Sequence, residues 1–352
     1  MNIAHIERSA DRASLELRSI AKSGDFAGSR LQDAFGRKFP YLRLSVTEVC
    51  NFRCTYCLPN GYQKTERDFL TLPEIRRLAS AFAELDTQKI RLTGGEPTLR
   101  RDLTNIAQAV NGILGIRTVA LTTNGYNLKE NAKAYFDAGI NALNVSVDSL
   151  DPARFHAITG QNKLAHVLEG IEAAKTAGFT KIKVNSVLLK EVTDHTLPDF
   201  LAWIKRDALS VRFIELMQTG ENLAFFKQHH ISAGIIIQQL LEHGFIPAIR
   251  KPDAGPAQEF THPDYVGSIG VIAPYSKDFC KSCNRLRVTS RGKLMLCLFG
   301  EGGYDLRPYL QHDDQRDELI NAIASALHFK HESHSLHQGL TGSTPHLASL
   351  GG

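Results

Sequence analysis

From Tyr41 to about Leu216, short β-like runs alternate with segments of helical period, and this alternation constrains the fold more than any other feature. The runs are Tyr41–Val46, Lys89–Leu92, Thr118–Thr122, Ala142–Val147, Lys181–Leu188 and Val211–Leu216. Between the first two, Thr71-Leu72-Pro73-Glu74 fits a capping box with proline in the first turn. Ile75, Leu78, Ala79, Phe82 and Leu85 then share one helical face. Six such β/α units predict a parallel sheet with right-handed crossovers. Six are too few to close an eight-stranded barrel, so we expect an α/β fold built on a partial, laterally open (βα)6 TIM-like barrel. An open Rossmann-type sheet is the alternative.

The flanks divide the rest. Residues 1–30 read as a polar arm, with a weak amphipathic helix over Arg12–Ala21. Residues 31–225 form the partial barrel, and 226–352 a C-terminal α+β domain covering its opening. In that domain we expect a helix over Phe225–Phe245 and a loop over Lys251–Tyr265. Two hairpin-like runs and a polar helix near Asp313–Phe329 follow.

Strand phase locates a cavity. Leu42, Leu44 and Val46 alternate with Arg43 and Ser45, and Ile90 and Leu92 with Lys89, Arg91 and Thr93. Leu143, Val145 and Val147 alternate with Asn144, Ser146 and Asp148, and Ile182 and Val184 with Lys181, Lys183 and Asn185. The helix-covered face of a parallel sheet must be apolar, so the polar phase faces inward. Arg43, Lys89, Arg91 and Lys183 then share one cavity, with Ser146 and Asn185. Buried cations are costly unless paired, and few acidic residues share this phase. A polyanionic ligand, most simply a phosphate ester, is implied. A solvated polar face, as in many antiparallel sheets, is the bland reading.

Composition fits a globular protein, with 43% hydrophobic and 22% charged residues. The net charge of +4 argues against a dedicated nucleic-acid surface but permits a local basic pocket. The first residues carry no apolar signal core, and no stretch reaches the roughly 18 apolar residues of a membrane span, so a cytoplasmic location is expected. There reduced thiols are available to metal.

All six cysteines fall into two groups of three. The first, Cys50, Cys54 and Cys57, follows the first strand with spacing Cys-x3-Cys-x2-Cys. Three thiolates can hold one face of an iron–sulfur cluster and leave one iron open, as catalytic metal sites keep a position open. A zinc knuckle completed by a distant ligand is the alternative. Thr93-Gly94-Gly95-Glu96-Pro97 ends the second strand, at the sheet edge where α/β active sites form. Its paired glycines allow close approach of a backbone to a ligand, and Glu96 is an acceptor for an ammonium group. The second group is Cys280 and Cys283, then Asn284-Arg285-Leu286-Arg287, then Cys297. A zinc ribbon would need a fourth ligand there, such as His262 or His331. Arg285 and Arg287 share one strand face, and arginine suits bidentate anion contacts.

The first triplet followed by TGGEP resembles the radical S-adenosylmethionine (SAM) enzymes. With Cys-x2-Cys-Asn-Arg-Leu-Arg, Cys297 and the terminal Gly351-Gly352, the chain from about Leu31 onward resembles the GTP 3′,8-cyclase family of molybdenum cofactor biosynthesis. The resemblance implies two [4Fe–4S] clusters, one on Cys50, Cys54 and Cys57 that binds and reduces SAM, and one on Cys280, Cys283 and Cys297 that holds guanine. It implies abstraction of the GTP ribose 3′-hydrogen by a 5′-deoxyadenosyl radical and closure onto guanine C8. Tyr56, Gly95, Glu96, Ser146 and Met217 would contact SAM. Arg43, Lys89, Arg91, Thr122, Lys183, Arg285, Leu286 and Arg287 would contact GTP. Arg43, Arg285, Arg287, Gly351 and Gly352 would act in the chemistry, the last two as a tail entering the site. All four basic residues chosen by strand phase recur in the GTP set.

The same resemblance implies a flavodoxin-like or ferredoxin-like electron donor and a downstream cyclic pyranopterin monophosphate synthase. It is compatible with a homodimer, and implies neither nucleic acid nor membrane as partner. Two details depart from the commoner family pattern: Thr47-Glu48-Val49 before the first triplet, and Leu350 before the two glycines. A peptide-modifying radical SAM enzyme with an auxiliary cluster is the competing reading. It leaves the two arginines and the Gly-Gly tail unexplained.

Overall fold

In the computed structural model, which describes residues 31–63, 68–190, 193–250 and 254–350, the six expected strands all form. They are β1 (Tyr41–Ser45), β2 (Lys89–Thr93), β3 (Thr118–Thr123), β4 (Ile140–Ser146), β5 (Ile182–Leu188) and β6 (Ser210–Glu215). Helices α1 (Leu72–Glu84), α2 (Leu103–Asn111), α3 (Leu128–Asp137), α4 (Pro152–Thr159), α5 (Leu164–Ala177) and α6 (Thr193–Ile204) lie between them. The expected capping box opens α1: Glu74 N–H donates to Thr71 Oγ1, and Thr71 N–H donates to Glu74 Oε2 at 2.7 Å. Arg12–Ala21 lies outside the described residues.

The C-terminal segment supplies α7 (Leu223–His229), α8 (Ala233–Glu242), β7 (Ile246–Pro247), β8 (Gln258–Thr261) and β9 (Ser268–Ile272). Then come β10 (Arg285–Val288), β11 (Lys293–Met295), β12 (Tyr304–Asp305) and α9 (Arg316–Ala326). Three expectations are corrected here. The helix over Phe225–Phe245 is two helices, because the Ser232 hydroxyl caps the second by accepting from Gly234 N–H. The loop over Lys251–Tyr265 contains β8, which pairs antiparallel with β9. The helix near Asp313–Phe329 is α-helical only over Arg316–Ala326, with tight turns at both ends.

One continuous sheet joins both segments, in the order β12-β11-β10-β1-β2-β3-β4-β5-β6-β9-β8-β7. Because β10 adds parallel to β1 and β9 parallel to β6, eight adjacent strands run the same way. The sheet still does not close, since β10 and β9 carry antiparallel neighbours and do not pair with each other. This is the partial barrel expected, flanked on both edges by C-terminal strands. Its helix-facing phase (Leu42, Leu44, Ile90, Leu92, Leu143, Val145, Val184 and Val211) is buried in one apolar core with Ile75, Leu78 and Phe82 of α1. Each such side chain contributes about 1.5–3 kcal/mol by leaving water. The other phase is polar. Among the described residues, no helix is long and apolar enough to cross a membrane.

Candidate functional site

The first cysteine loop is built onto the end of β2. Val46 N–H donates to Thr93 O, Gly95 N–H to Thr47 O at 3.0 Å, and Glu96 N–H to Val49 O at 2.7 Å. This close approach is why two glycines stand here. A Cβ on Gly94, whose φ is +148°, would lie 2.2 Å from Thr47 O, and one on Gly95 2.5 Å from the carbonyls of Glu48 and Val49. The room the glycines leave is filled by the cysteine loop's own backbone, a use the sequence reading did not foresee. From the far side, Arg53 and Thr55 N–H donate to the carbonyls of Thr159 and Ile158 at the end of α4. Phe52 is buried, edge-on to Tyr126 and Phe155.

The three thiols are half-buried, and their charges are felt mutually. Burial pushes Cys50 up to about 11 and Cys57 up to about 12. Cys54 is also held well above the usual thiol range, by burial, by Asp148 and by the other two sulfurs. Thiolates placed so need a strongly cationic partner to form. Among the described residues no three His, Cys, Asp or Glu converge closely enough for a single metal ion. Three soft thiolates on one short loop are a donor set that can take one face of an iron–sulfur cluster, whose charge would favour their ionised forms.

Around this loop stand the residues expected at SAM. The Tyr56 hydroxyl donates to Asp148 Oδ2 at 2.9 Å, and Val187 N–H donates to Asp148 Oδ1 at 2.9 Å. Burial lifts Asp148 to about 6. Glu96 is fully buried and accepts from Thr98 N–H and Oγ1, Thr123 Oγ1 (2.7 Å) and Asn124 N–H (2.6 Å). It therefore ties the ends of β2 and β3 together, and Asn124 in turn donates to Asn51 of the cysteine loop. Ser146 and Met217 are half-buried at the ends of β4 and β6.

Strand register brings the basic residues onto one face. Arg43 lies opposite Arg91 on one side and Arg287 on the other, Tyr41 lies opposite Lys89 and Arg285, and Thr122, Asn144 and Lys183 form a row. Arg91 donates through Nε to the Tyr41 phenol at 2.6 Å and through Nη1 to Leu121 O and Thr122 Oγ1, both at 3.1 Å. Burial, with the neighbouring cations, pushes Arg43 down to about 10, Arg287 to about 9 and Lys183 to about 8. Such lowering marks buried cations crowded against one another, and a polyanion bound here would favour their charged forms. Strand phase had not singled out Arg212, which is buried and donates to Glu259 Oε1 at 2.5 Å, nor Tyr41. Arg212 sits in a run, Val211–Leu216, whose alternation is broken by Ile214, and Tyr41 reads as an apolar strand residue. Leu286 points to the opposite face and is buried in the main core.

The second cysteine group lies beside this face. Cys280 and Cys283 bracket a turn closed by Cys283 N–H to Cys280 O (3.1 Å), and Arg37 clamps that turn by donating to Cys280 O and to the carbonyls of His331 and Glu332. Cys280 and Cys283 shift in the direction opposite to the first group. Against the effect of burial, hydrogen bonds from His334 and Ser333 bring Cys280 down to about 7, and Arg285 and Lys330 lower Cys283. The histidine at this group is thus His334. His262 packs against Phe245 and Tyr265, and His331 is exposed.

One apolar cluster, of Met295, Leu298, Phe299, Leu336, Leu347 and Leu350, packs against Cys57, Cys297, Met217 and Tyr275. The segment Leu347–Leu350 therefore packs in a cluster that touches a cysteine of each group, and the Ala348 backbone hydrogen-bonds to Cys57. Gly351 and Gly352 lie outside the described residues.

Comparison with known proteins gives concordant results. Residues 44–204 match the family described as Radical SAM superfamily, and residues 209–336 match Molybdenum Cofactor Synthesis C. The chain is 58% identical over 330 residues to a protein of Aeromonas hydrophila named GTP 3′,8-cyclase, covering 92% of this chain and 96% of that one. It is 58% identical over 323 residues to the protein of that name from Tolumonas auensis (92% and 96%), and 56% identical over 327 residues to one from Klebsiella pneumoniae (92% and 99%). Among solved structures, Streptococcus suis SuiB bound to S-adenosylmethionine superposes with a TM-score of 0.56 at 13% identity, covering 86% of this chain and 68% of that one. SuiB bound to precursor peptide SuiA gives 0.51 at 15% identity, covering 98% and 80%. At such low identity these structures speak to the fold alone.

Proposed function

Because this chain belongs to the GTP 3′,8-cyclase family of the radical SAM superfamily, we propose that the cysteine loop, the basic sheet face and the second cysteine group work as one site. The protein is a radical SAM enzyme that cyclises GTP to (8S)-3′,8-cyclo-7,8-dihydroguanosine 5′-triphosphate, the first step of molybdenum cofactor biosynthesis. It uses SAM and a [4Fe–4S] cluster.

Cys50, Cys54 and Cys57 would hold that cluster, which supplies the electron that cleaves SAM to a 5′-deoxyadenosyl radical. Cys280, Cys283 and Cys297 would hold a second cluster, which would supply a binding position for the guanine. Tyr56, Gly95, Glu96, Ser146 and Met217 line the SAM side. Arg43, Lys89, Arg91, Thr122, Lys183, Arg285 and Arg287 bind GTP, with Leu286 contributing only its backbone. A primary carbon radical attacks any accessible C–H bond, so this chain's own task is to pin the sugar and exclude water. The basic face fixes the triphosphate at one end and the second group the base at the other. Gly351 and Gly352 act in the chemistry. A flavodoxin-like or ferredoxin-like donor and a downstream cyclic pyranopterin monophosphate synthase complete the scheme.

The observation that carries this reading is that Arg287, opposite Arg43 across β1 and β10, feels the charges of Cys283 and Cys297, so the second cysteine group adjoins the basic face. The test is anaerobic reconstitution with iron and sulfide counted, followed by SAM cleavage with and without GTP. About eight irons per chain and GTP-dependent transfer of the ribose 3′-hydrogen into deoxyadenosine are expected. About four irons with full cyclisation would remove the second cluster from the mechanism.

A further inference from the structure

Tyr41 has no role in the scheme above, yet it sits at the centre of the cation group. It is 7% exposed, on β1 between Lys89 of β2 and Arg285 of β10. Its oxygen accepts from Arg91 Nε at 2.6 Å and is also hydrogen-bonded by Arg43, while Lys89 Nζ lies 4.8 Å from its ring centroid. A neutral phenol also has its own hydrogen to place. An oxygen already engaged by two guanidinium groups, in a crowd of buried cations, is better suited as a phenolate.

We propose that Tyr41 is a positioning residue and resident counter-anion of the substrate site, aiming Arg91 while the site is empty and yielding to the incoming polyphosphate. This rests on reading the basic face as the triphosphate site. When a triphosphate neutralises Arg43, Lys89 and Arg91, the phenolate loses the charges that stabilise it and takes one proton from solvent. The same oxygen, an acceptor in the empty site, becomes an O–H donor able to bind a phosphate oxygen. Substrate binding is thereby coupled to the uptake of one proton.

The lowered titration agrees with this geometry. Although burial alone would raise it, Arg91, Arg43 and Lys89 bring the phenol down to about 6. The other charged groups on the adjoining strands, Arg285 and Arg287 of β10, are also cationic. The phenolate is therefore present above about pH 6 in the empty site.

The experiment uses the reconstituted holoenzyme with tyrosine labelled at Cζ and inorganic tripolyphosphate as the probe. Tyr41→Phe, which keeps the ring and its packing, assigns the resonance. Arg91→Lys gives a second assignment by raising its titration midpoint. We expect one tyrosine to titrate near pH 6, to return to the phenol position when tripolyphosphate is added at about pH 7.5, and to be missing in Tyr41→Phe. Calorimetry in two buffers of different ionisation enthalpy should show wild type taking up one proton more than Tyr41→Phe on binding. If Tyr41 remains a phenol up to about pH 9 while tripolyphosphate binds normally, the Tyr41 proposal is overturned and the site reading stands. If Tyr41 titrates as expected but tripolyphosphate does not bind, the polyphosphate reading fails, and the exchange with it.

Discussion

At the scale of single residues, the glycine pair and the buried cations answer different physical demands. Gly95 has no side chain because the carbonyls of Glu48 and Val49 occupy the space a Cβ would need. Gly95→Ala should therefore push the cysteine loop off the end of β2 and cost the first cluster selectively. Iron would fall from about eight to about four per chain while the second group keeps its share, and iron that stays at the wild-type level would show that the loop can shift without loss. Lys183 makes a prediction of the opposite kind, about charge. Burial and the nearby cations depress it to about 8, so the free enzyme loses this charge as pH rises through that value. A bound polyanion favours the protonated form, so the Lys183 contribution to tripolyphosphate affinity is full below about 8 and weakens above it. This comes on top of the decline that proton uptake by Tyr41 sets above about 6. Lys183→Arg keeps its charge across this range and should remove the added steepening above about 8 while leaving the Tyr41-linked slope. A wild-type affinity constant from pH 7 to about 9 would take Lys183 out of the anion site.

At the scale of elements, the strands were legible because their two phases obey different rules. The apolar phase must meet helices, the polar phase must meet something else, and the residues Arg43, Lys89, Arg91 and Lys183 selected in this way do share one face. What stayed hidden is long-range. The β9 and β10 runs are short, and their parallel pairing with β6 and β1 depends on chain neighbours far apart in sequence. Asp148, likewise, could be placed in a strand phase, but its bond to Tyr56 depends on how two separate loops meet. The α1 cap was legible, and it does more than begin a helix. Glu74 also accepts from Arg307 Nε at 2.9 Å, fastening the C-terminal segment to the barrel. Although burial opposes it, the bonds from Thr71 and Arg307 hold Glu74 below the usual carboxylate range. Its stabilising effect is thus full above the ordinary glutamate pKa and disappears as pH falls through the lowered one. Glu74→Ala should lower stability by about 1–2 kcal/mol near neutral pH, with a smaller difference in acid. Denaturant unfolding of the apoprotein reads this, and an equal loss at both pH values would show a pure packing effect.

At the scale of the whole molecule, the two cysteine groups are separated in sequence but share an apolar cluster completed by the end of the chain. Leu347 and Leu350 are buried in it with Leu298 and Phe299, and Cys57 and Cys297 both pack against it. A terminal segment is normally the first part of a domain to fray, so its burial here must be maintained by contacts. The role it suits is exclusion. Both clusters would need open irons, and an open iron next to bulk water invites chelators and oxygen, while a reactive carbon radical invites quenching. Ending the chain after Pro345 removes Leu347, Leu350 and the Ala348 backbone bond to Cys57, while the sheet and its cations remain. The truncated enzyme should release iron to a chelator several-fold faster than the full chain, and SAM cleavage should become uncoupled from GTP cyclisation. The Leu347→Asp/Leu350→Asp variant of the full chain separates the plug from the terminal glycines, because it keeps Gly351 and Gly352 but cannot dock. If it releases iron as slowly as wild type, the apolar cluster is not the seal. If it releases iron fast and also loses coupling, the end of the chain both shields the metal groups and directs the radical, in keeping with its packing against Cys57 and Cys297.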